Sequence, residues 1–239
     1  MTENLWTFAR SFIVTVIFMP ALINFLRHSK EQAVIRKLGP DHQAKAGTPS
    51  MGGALFVLAA VISAIVGGVA SEGWHGFMLQ LMPLLAFVAF AVIGGVDDAL
   101  KILKHADDGF RFKPKLLAQT LSALVVMIVM WFMNVPFVLN VPFVGHIYLG
   151  GFYFIFMWFW LVGWSNATNL TDGLDGLLTG ISIIVYGTYT WIAMAMHNQS
   201  IVIFNIAIIG ALVGFLIYNK PKAKIFMGDT GSLALGAGL

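Results

Sequence analysis

Long apolar runs, separated by short polar or glycine-rich stretches, recur along the whole 239-residue chain. Those at 5–26, 52–70, 77–96, 116–135, 148–164, 174–196 and 201–218 are long enough to cross hydrocarbon, which takes about 20 residues of helix. The pattern predicts an all-α polytopic membrane protein with seven transmembrane helices. An eighth apolar stretch begins at Ser232 and runs to Leu239, so residues 1–239 read as a single transmembrane domain that is incomplete at its C-terminal end. Residues 165–171 read as a short loop, with Asp172 and Asp175 opening the sixth helix and Pro114 in the first turn of the fourth. The first run reads as a retained helix, because Met1–Leu5 lacks the basic stretch of a cleaved signal. No repeat of fixed period and no low-complexity linker divides the chain.

Composition agrees with this pattern. At 59% hydrophobic and 10% charged, the chain carries more apolar surface than a soluble domain could hide from water. The 25 glycines suit closely packed membrane helices. A net charge of +3 is too small to suggest nucleic-acid binding. With no cysteine, thiol catalysis, disulfides and cysteine metal sites are excluded, and the six histidines are too scattered for a zinc site.

The positions of the basic residues give an orientation. Thirteen of the fourteen lie in three loops. Arg27, Lys30, Arg36, Lys37 and Lys45 follow the first run, and Lys101, Lys104, Arg111, Lys113 and Lys115 follow the third. Lys220, Lys222 and Lys224 follow the seventh. The loops at 71–76, 134–147 and 197–200 have no lysine or arginine. By the positive-inside rule the N-terminus is outside and the three basic loops are cytoplasmic.

Nine of the eleven acidic residues fall on that cytoplasmic side, and five of them lie at helix ends. These are Asp97 and Asp98 after the third run, Asp172 and Asp175 before the sixth, and Asp229 in Gly228-Asp229-Thr230-Gly231-Ser232. Ionisable groups at membrane depth are costly and usually face a polar cavity. Carboxylates gathered beside lysines suit a hard cation such as Mg²⁺ together with phosphate groups. The glycine-rich turn around Asp229 can offer backbone N–H groups to a phosphate. Each aspartate alone could equally be a helix cap, and Lys220, Lys222 and Lys224 read as topology determinants.

Several strings along the chain resemble the polyprenyl-phosphate N-acetylhexosamine-1-phosphate transferases. They are Arg36-Lys37-Leu38-Gly39-Pro40, Lys45-Ala46-Gly47-Thr48-Pro49-Ser50-Met51-Gly52-Gly53, and Asp97-Asp98 with Lys101. Asn166-Ala167-Thr168-Asn169-Leu170-Thr171-Asp172-Gly173-Leu174-Asp175-Gly176 and Phe226-Met227-Gly228-Asp229-Thr230-Gly231-Ser232 complete the set. The Lys45–Gly53 string points to the muramoyl-pentapeptide branch. The resemblance implies about ten helices in the bacterial cytoplasmic membrane. It also implies transfer of phospho-N-acetylmuramoyl-pentapeptide from UDP-N-acetylmuramoyl-pentapeptide to undecaprenyl phosphate, with Mg²⁺. It makes Asp97, Asp98 and Asp229 the catalytic and metal-binding residues. Lys45, Lys101, Lys113, Asn169, Asp172, Asp175 and Ser232 become the substrate-binding ones, with Lys115 a further phosphate partner. One of Asp97 and Asp98 would act on the lipid phosphate, or an aspartate would be a nucleophile. A homodimer is compatible with the sequence.

Three other readings remain at this point. A sister enzyme would use UDP-N-acetylglucosamine, and an ion-coupled transporter would also carry intramembrane carboxylates. A transporter needs them near mid-bilayer, whereas these cluster at one face. A catalytically silent membrane fragment is the third.

Overall fold

A computed structural model describes residues 2–28, 48–104, 112–141 and 144–239. The order of elements is α1 (Thr2–His28), α2 (Gly52–Lys104), α3 (Phe112–Phe132), β1 (Val138–Val141), β2 (Gly145–Tyr148), α4 (Phe152–Thr171), α5 (Leu177–Ala195), α6 (Gln199–Asn219) and α7 (Gly228–Ala237). Among the described residues, five helices are long and apolar enough to cross a membrane. The expected runs 52–70 and 77–96 both lie in α2, whose backbone leaves helical geometry at Glu72 and Gly73. Gly53, near one end, lies against Gly231, and Gly94, near the other, lies against Asp229. Both ends of α2 therefore meet the same short helix, and its two arms form an antiparallel hairpin.

The helices are amphipathic in the sense expected in lipid. On α1 the buried positions are Thr7, Ser11, Thr15, Met19, Ile23 and Leu26, while Leu5, Trp6, Ile17, Phe18 and Phe25 are exposed. Lipid tails are as apolar as leucine, so burying large side chains gains little there. Small and hydroxyl-bearing residues instead let backbones approach. Of the long apolar helices the most buried is α6, packed by α1, α2 and α5 around Phe204, Ile208, Leu212 and Phe215. The short α7 lies between α2 and α4.

Three expectations change. Residues 165–171 are helical and end α4. Ser165, Asn166, Thr168 and Asn169 bond residues of neighbouring helices, so the polarity marks a packing seam rather than a loop. Asp172 and Asp175 do not open a helix: α5 starts at Leu177, after Gly176 adopts a left-handed φ of 72°. Asp229 lies in the first turn of α7, which begins at Gly228 rather than at Ser232. The 134–147 loop also contains part of an antiparallel hairpin, pairing Val138 with Tyr148. Phe137 anchors it against Trp131, Tyr153 and Phe154.

Candidate active site

The polar end of the bundle is built from the C-terminal end of α2, the start of α3, the end of α4 and the start of α7. Its frame is backbone pairing. Phe226 N–H donates to Pro49 O (2.8 Å), Gly52 N–H to Phe226 O (2.9 Å) and Gly53 N–H to Met227 O (2.8 Å). The Thr48–Gly53 part of one sequence motif is thereby fixed beside the Gly228–Ser232 motif.

Asp98 caps α7 from a different helix. Its carboxylate accepts the N–H of Asp229 (3.0 Å), the N–H of Thr230 (2.9 Å) and the Thr230 hydroxyl (2.7 Å). The first N–H groups of a helix have no partner within it, and a carboxylate there is favoured by hydrogen bonding and by the helix dipole. Asp98 is almost wholly buried, so these bonds offset the cost of removing its charge from water.

Asp229 projects from that turn into a cluster of opposite charge. Its Oδ2 lies 2.7 Å from Lys115 Nζ and 3.0 Å from Lys101 Nζ. Its Oδ1 accepts from Asn169 Nδ2 at 2.8 Å, and the same amide lies 2.9 Å from Ser232 Oγ. Lys101 also reaches Asp97 at 2.6 Å, one helical turn back along α2. Carboxylate oxygens of Asp97, Asp98 and Asp229 lie within 4.8 Å of one another. Three carboxylates face two lysines, and hard oxygen donors so close together suit a hard divalent cation. A cation there would be held by Asp97, Asp98 and Asp229.

The other expected site residues divide. Asn169 and Ser232 touch Asp229 directly or through each other. Asp172, half-buried at the end of α4, is pushed up to about 7 by burial and by the carboxylates of Asp229 and Asp98, against an opposing hydrogen bond from the Gly228 backbone. Asp175 instead accepts the N–H groups of Lys222 and Ala223, both at 3.2 Å, in the segment leading to α7. Lys113 is exposed at the start of α3, and Lys115 rather than Lys113 contacts Asp229. Lys45 lies outside the described residues.

Two residues at the site were given no role in the sequence reading. Thr168 donates to Ser232 O at 2.7 Å and so ties α4 to α7. Asn219, buried at the end of α6, accepts from Gly176 N–H (3.2 Å) and Thr179 Oγ1 (2.7 Å) and donates to Ile225 O (3.1 Å). Its partners lie in the segments carrying Asp172 and Asp229. A polar residue ending an apolar run just before Lys220-Pro221 was the available signal. Asn219→Ala leaves a buried hydroxyl and carbonyl without their partner and is expected to cost about 2 kcal/mol. For a chain of this size that is a fall of about 5 °C in melting temperature, read by a thermal melt in detergent. An unchanged melt would show that the stitch contributes nothing.

An apolar bundle whose helix ends gather these charges defines a multi-pass membrane protein with a polar site fitted to a hard cation. Residues 80–239 match the family model for glycosyl transferase family 4, and residues 45–57 match phospho-N-acetylmuramoyl-pentapeptide-transferase signature 1. The chain belongs to glycosyl transferase family 4, in its phospho-N-acetylmuramoyl-pentapeptide-transferase branch. Over its whole length it is 74% identical to the phospho-N-acetylmuramoyl-pentapeptide-transferase of Leuconostoc mesenteroides subsp. mesenteroides and 70% identical to that of Leuconostoc citreum. It is 45% identical to that of Lactobacillus johnsonii, and it spans 75% of the length of each of these relatives.

Proposed function

We propose that the chain transfers phospho-N-acetylmuramoyl-pentapeptide from its UDP carrier to undecaprenyl phosphate, releasing UMP, in the first membrane step of peptidoglycan synthesis. The observation that carries this reading is the convergence of Asp97, Asp98 and Asp229 with Lys101 and Lys115 at one end of the bundle. The basic-loop pattern supports a cytoplasmic position for that end, in the bacterial cytoplasmic (inner) membrane, with the N-terminus outside. The water-soluble nucleotide substrate enters from that side, and the lipid phosphate reaches the site from the adjoining leaflet. Residues 1–239 belong to one catalytic transmembrane domain.

The geometry separates the two adjacent aspartates. Asp98 is committed to the N-terminus of α7, so it holds Asp229 in place. Asp97 lies beside the lysines and is the group to take the proton from the lipid phosphate, whose second ionisation falls near neutrality. The freed oxygen bonds to the sugar-bearing phosphorus as the bond to the UMP bridging oxygen breaks. Lys101 and Lys115 offset negative charge on the pyrophosphate, and Asn169 orients Asp229. Asp172 and Ser232 contribute to the nucleotide and pyrophosphate pocket, and Asp175, Lys45 and Lys113 are assigned to substrate binding on the family resemblance alone. Mg²⁺, held by Asp229 with help from Asp97 or Asp98, would supply charge neutralisation on the phosphate oxygens.

The test is UMP release by the purified protein in detergent. UMP is expected only when UDP-N-acetylmuramoyl-pentapeptide and undecaprenyl phosphate are both present. Release should fall to background with a chelator and return with Mg²⁺. Preferential release from UDP-N-acetylglucosamine would assign the sister activity, and turnover undiminished by chelation would remove the metal from the reading.

A further inference from the structure

Lys115 reaches Asp229 only if α3 has one particular register against α4, and the apolar face that α3 buries, Ala123, Val126, Met127 and Met130, lies two turns or more further along the helix. Leu117, Leu121, Leu124, Val125 and Ile128 are exposed on its outer face, where lipid serves as well as protein. Two positions earlier, Lys113 is exposed on the same helix. A rotation of α3 by two residues would exchange the lysines.

Polar contacts one turn deeper than Lys115 oppose such a rotation. Gln119, four residues after Lys115 and so on the same helical face, is 1% exposed. Its Oε1 accepts from Asn166 Nδ2 at 3.0 Å, and its Nε2 lies 3.5 Å from Ser165 Oγ. Asn166 is three residues before Asn169, the α4 residue bonded to Asp229. Each helix thus sends one residue to Asp229 and, a turn deeper, one to the same amide pair. Trp158 Nε1 adds a bond to Thr120 Oγ1 at 3.1 Å further along the seam.

We propose that Gln119 is a positioning residue that registers α3 on α4 and so delivers Lys115, rather than Lys113, to Asp229. Its effect on turnover rests on the phosphotransfer reading, whereas its effect on Lys115 does not. The test therefore has two readouts. The first is modification of Lys115 relative to Lys113 by a water-soluble amine-reactive ester, quantified by peptide mass spectrometry on the detergent-solubilised protein. The second is UMP release. In Gln119→Leu, which keeps the bulk but not the hydrogen bonds, the Lys115-to-Lys113 ratio is expected to rise severalfold. Turnover should fall about tenfold with little change in KM, because the lysine is displaced rather than lost. Gln119→Glu, which keeps an acceptor for Asn166, should restore both. An unchanged ratio in Gln119→Leu overturns the proposal whatever happens to activity, as does an equal rise at both lysines. A raised ratio with undiminished turnover would uphold the positioning role and count against Lys115 in the phosphotransfer reading.

Discussion

Asp229→Asn is expected to lower UMP release by about a thousandfold while leaving the helical bundle intact. Asparagine matches aspartate in shape, and its carbonyl can still accept from Asn169, so no cavity and no clash results. The charge is what disappears. Lys101 and Lys115, 3.0 and 2.7 Å from the native carboxylate, would face a neutral amide and share the remaining attraction of Asp97. An amide is also a much poorer partner than a carboxylate for a hard divalent cation. The fold should survive because what holds α7 is backbone pairing to residues 49–53 and the cap from Asp98, neither of which uses the Asp229 side chain. The measurement is turnover alongside circular dichroism and a thermal melt. Turnover within a few-fold of the parent, with an unchanged melt, would remove Asp229 from the centre of the site.

Apolar run length located α1, both arms of α2, α3, α5 and α6 because crossing hydrocarbon demands long uninterrupted helices, and the chain shows them plainly. What periodicity could not show was where polar residues stop meaning loop. Asn166, Thr168 and Asn169 read as a break in the hydrophobic run, yet they are helical and bond Gln119, Ser232 and Asp229. In a soluble protein such residues would usually face water. In this bundle they satisfy one another across a seam, and a one-dimensional pattern does not distinguish the two. The aspartates were legible for the opposite reason: charge is so costly at membrane depth that each one drew attention. Their division of labour was not legible. Asp97 and Asp98 are neighbours of identical chemistry, and only the approach of α7, 130 residues later in the chain, commits Asp98 to capping. The same limit applies to Lys113 and Lys115, whose roles depend on helical phase against a partner helix.

The dependence of this site on close backbone approach makes a prediction whose sign runs against helix propensity. Glycine to alanine inside a helix ordinarily stabilises it, by about 1 kcal/mol. Gly94 and Gly95 are adjacent helical glycines at the same end of α2, and they should respond in opposite ways. A β-carbon on Gly94 would meet the carbonyl of Asp229 and the N–H of Thr230, well inside contact distance. These are backbone atoms, unable to swing aside as a flexible side chain could. A β-carbon on Gly95 would lie 3.6 Å from Thr230 Oγ1, an ordinary contact. Gly94→Ala must push α7 away from α2 by about 1 Å to restore normal separation. That shift strains the Asp98 cap and carries Asp229 off Lys101 and Lys115. A displacement of that size at a reacting centre costs about a hundredfold in turnover, and overpacking a tight seam costs about 1–3 kcal/mol of stability. Gly95→Ala should keep turnover within a few-fold and melt no lower than the parent. The pair is read by UMP release and thermal melts side by side. If Gly94→Ala behaves like Gly95→Ala, then α7 is not held against α2 by that glycine, and the position of Asp229 has another origin.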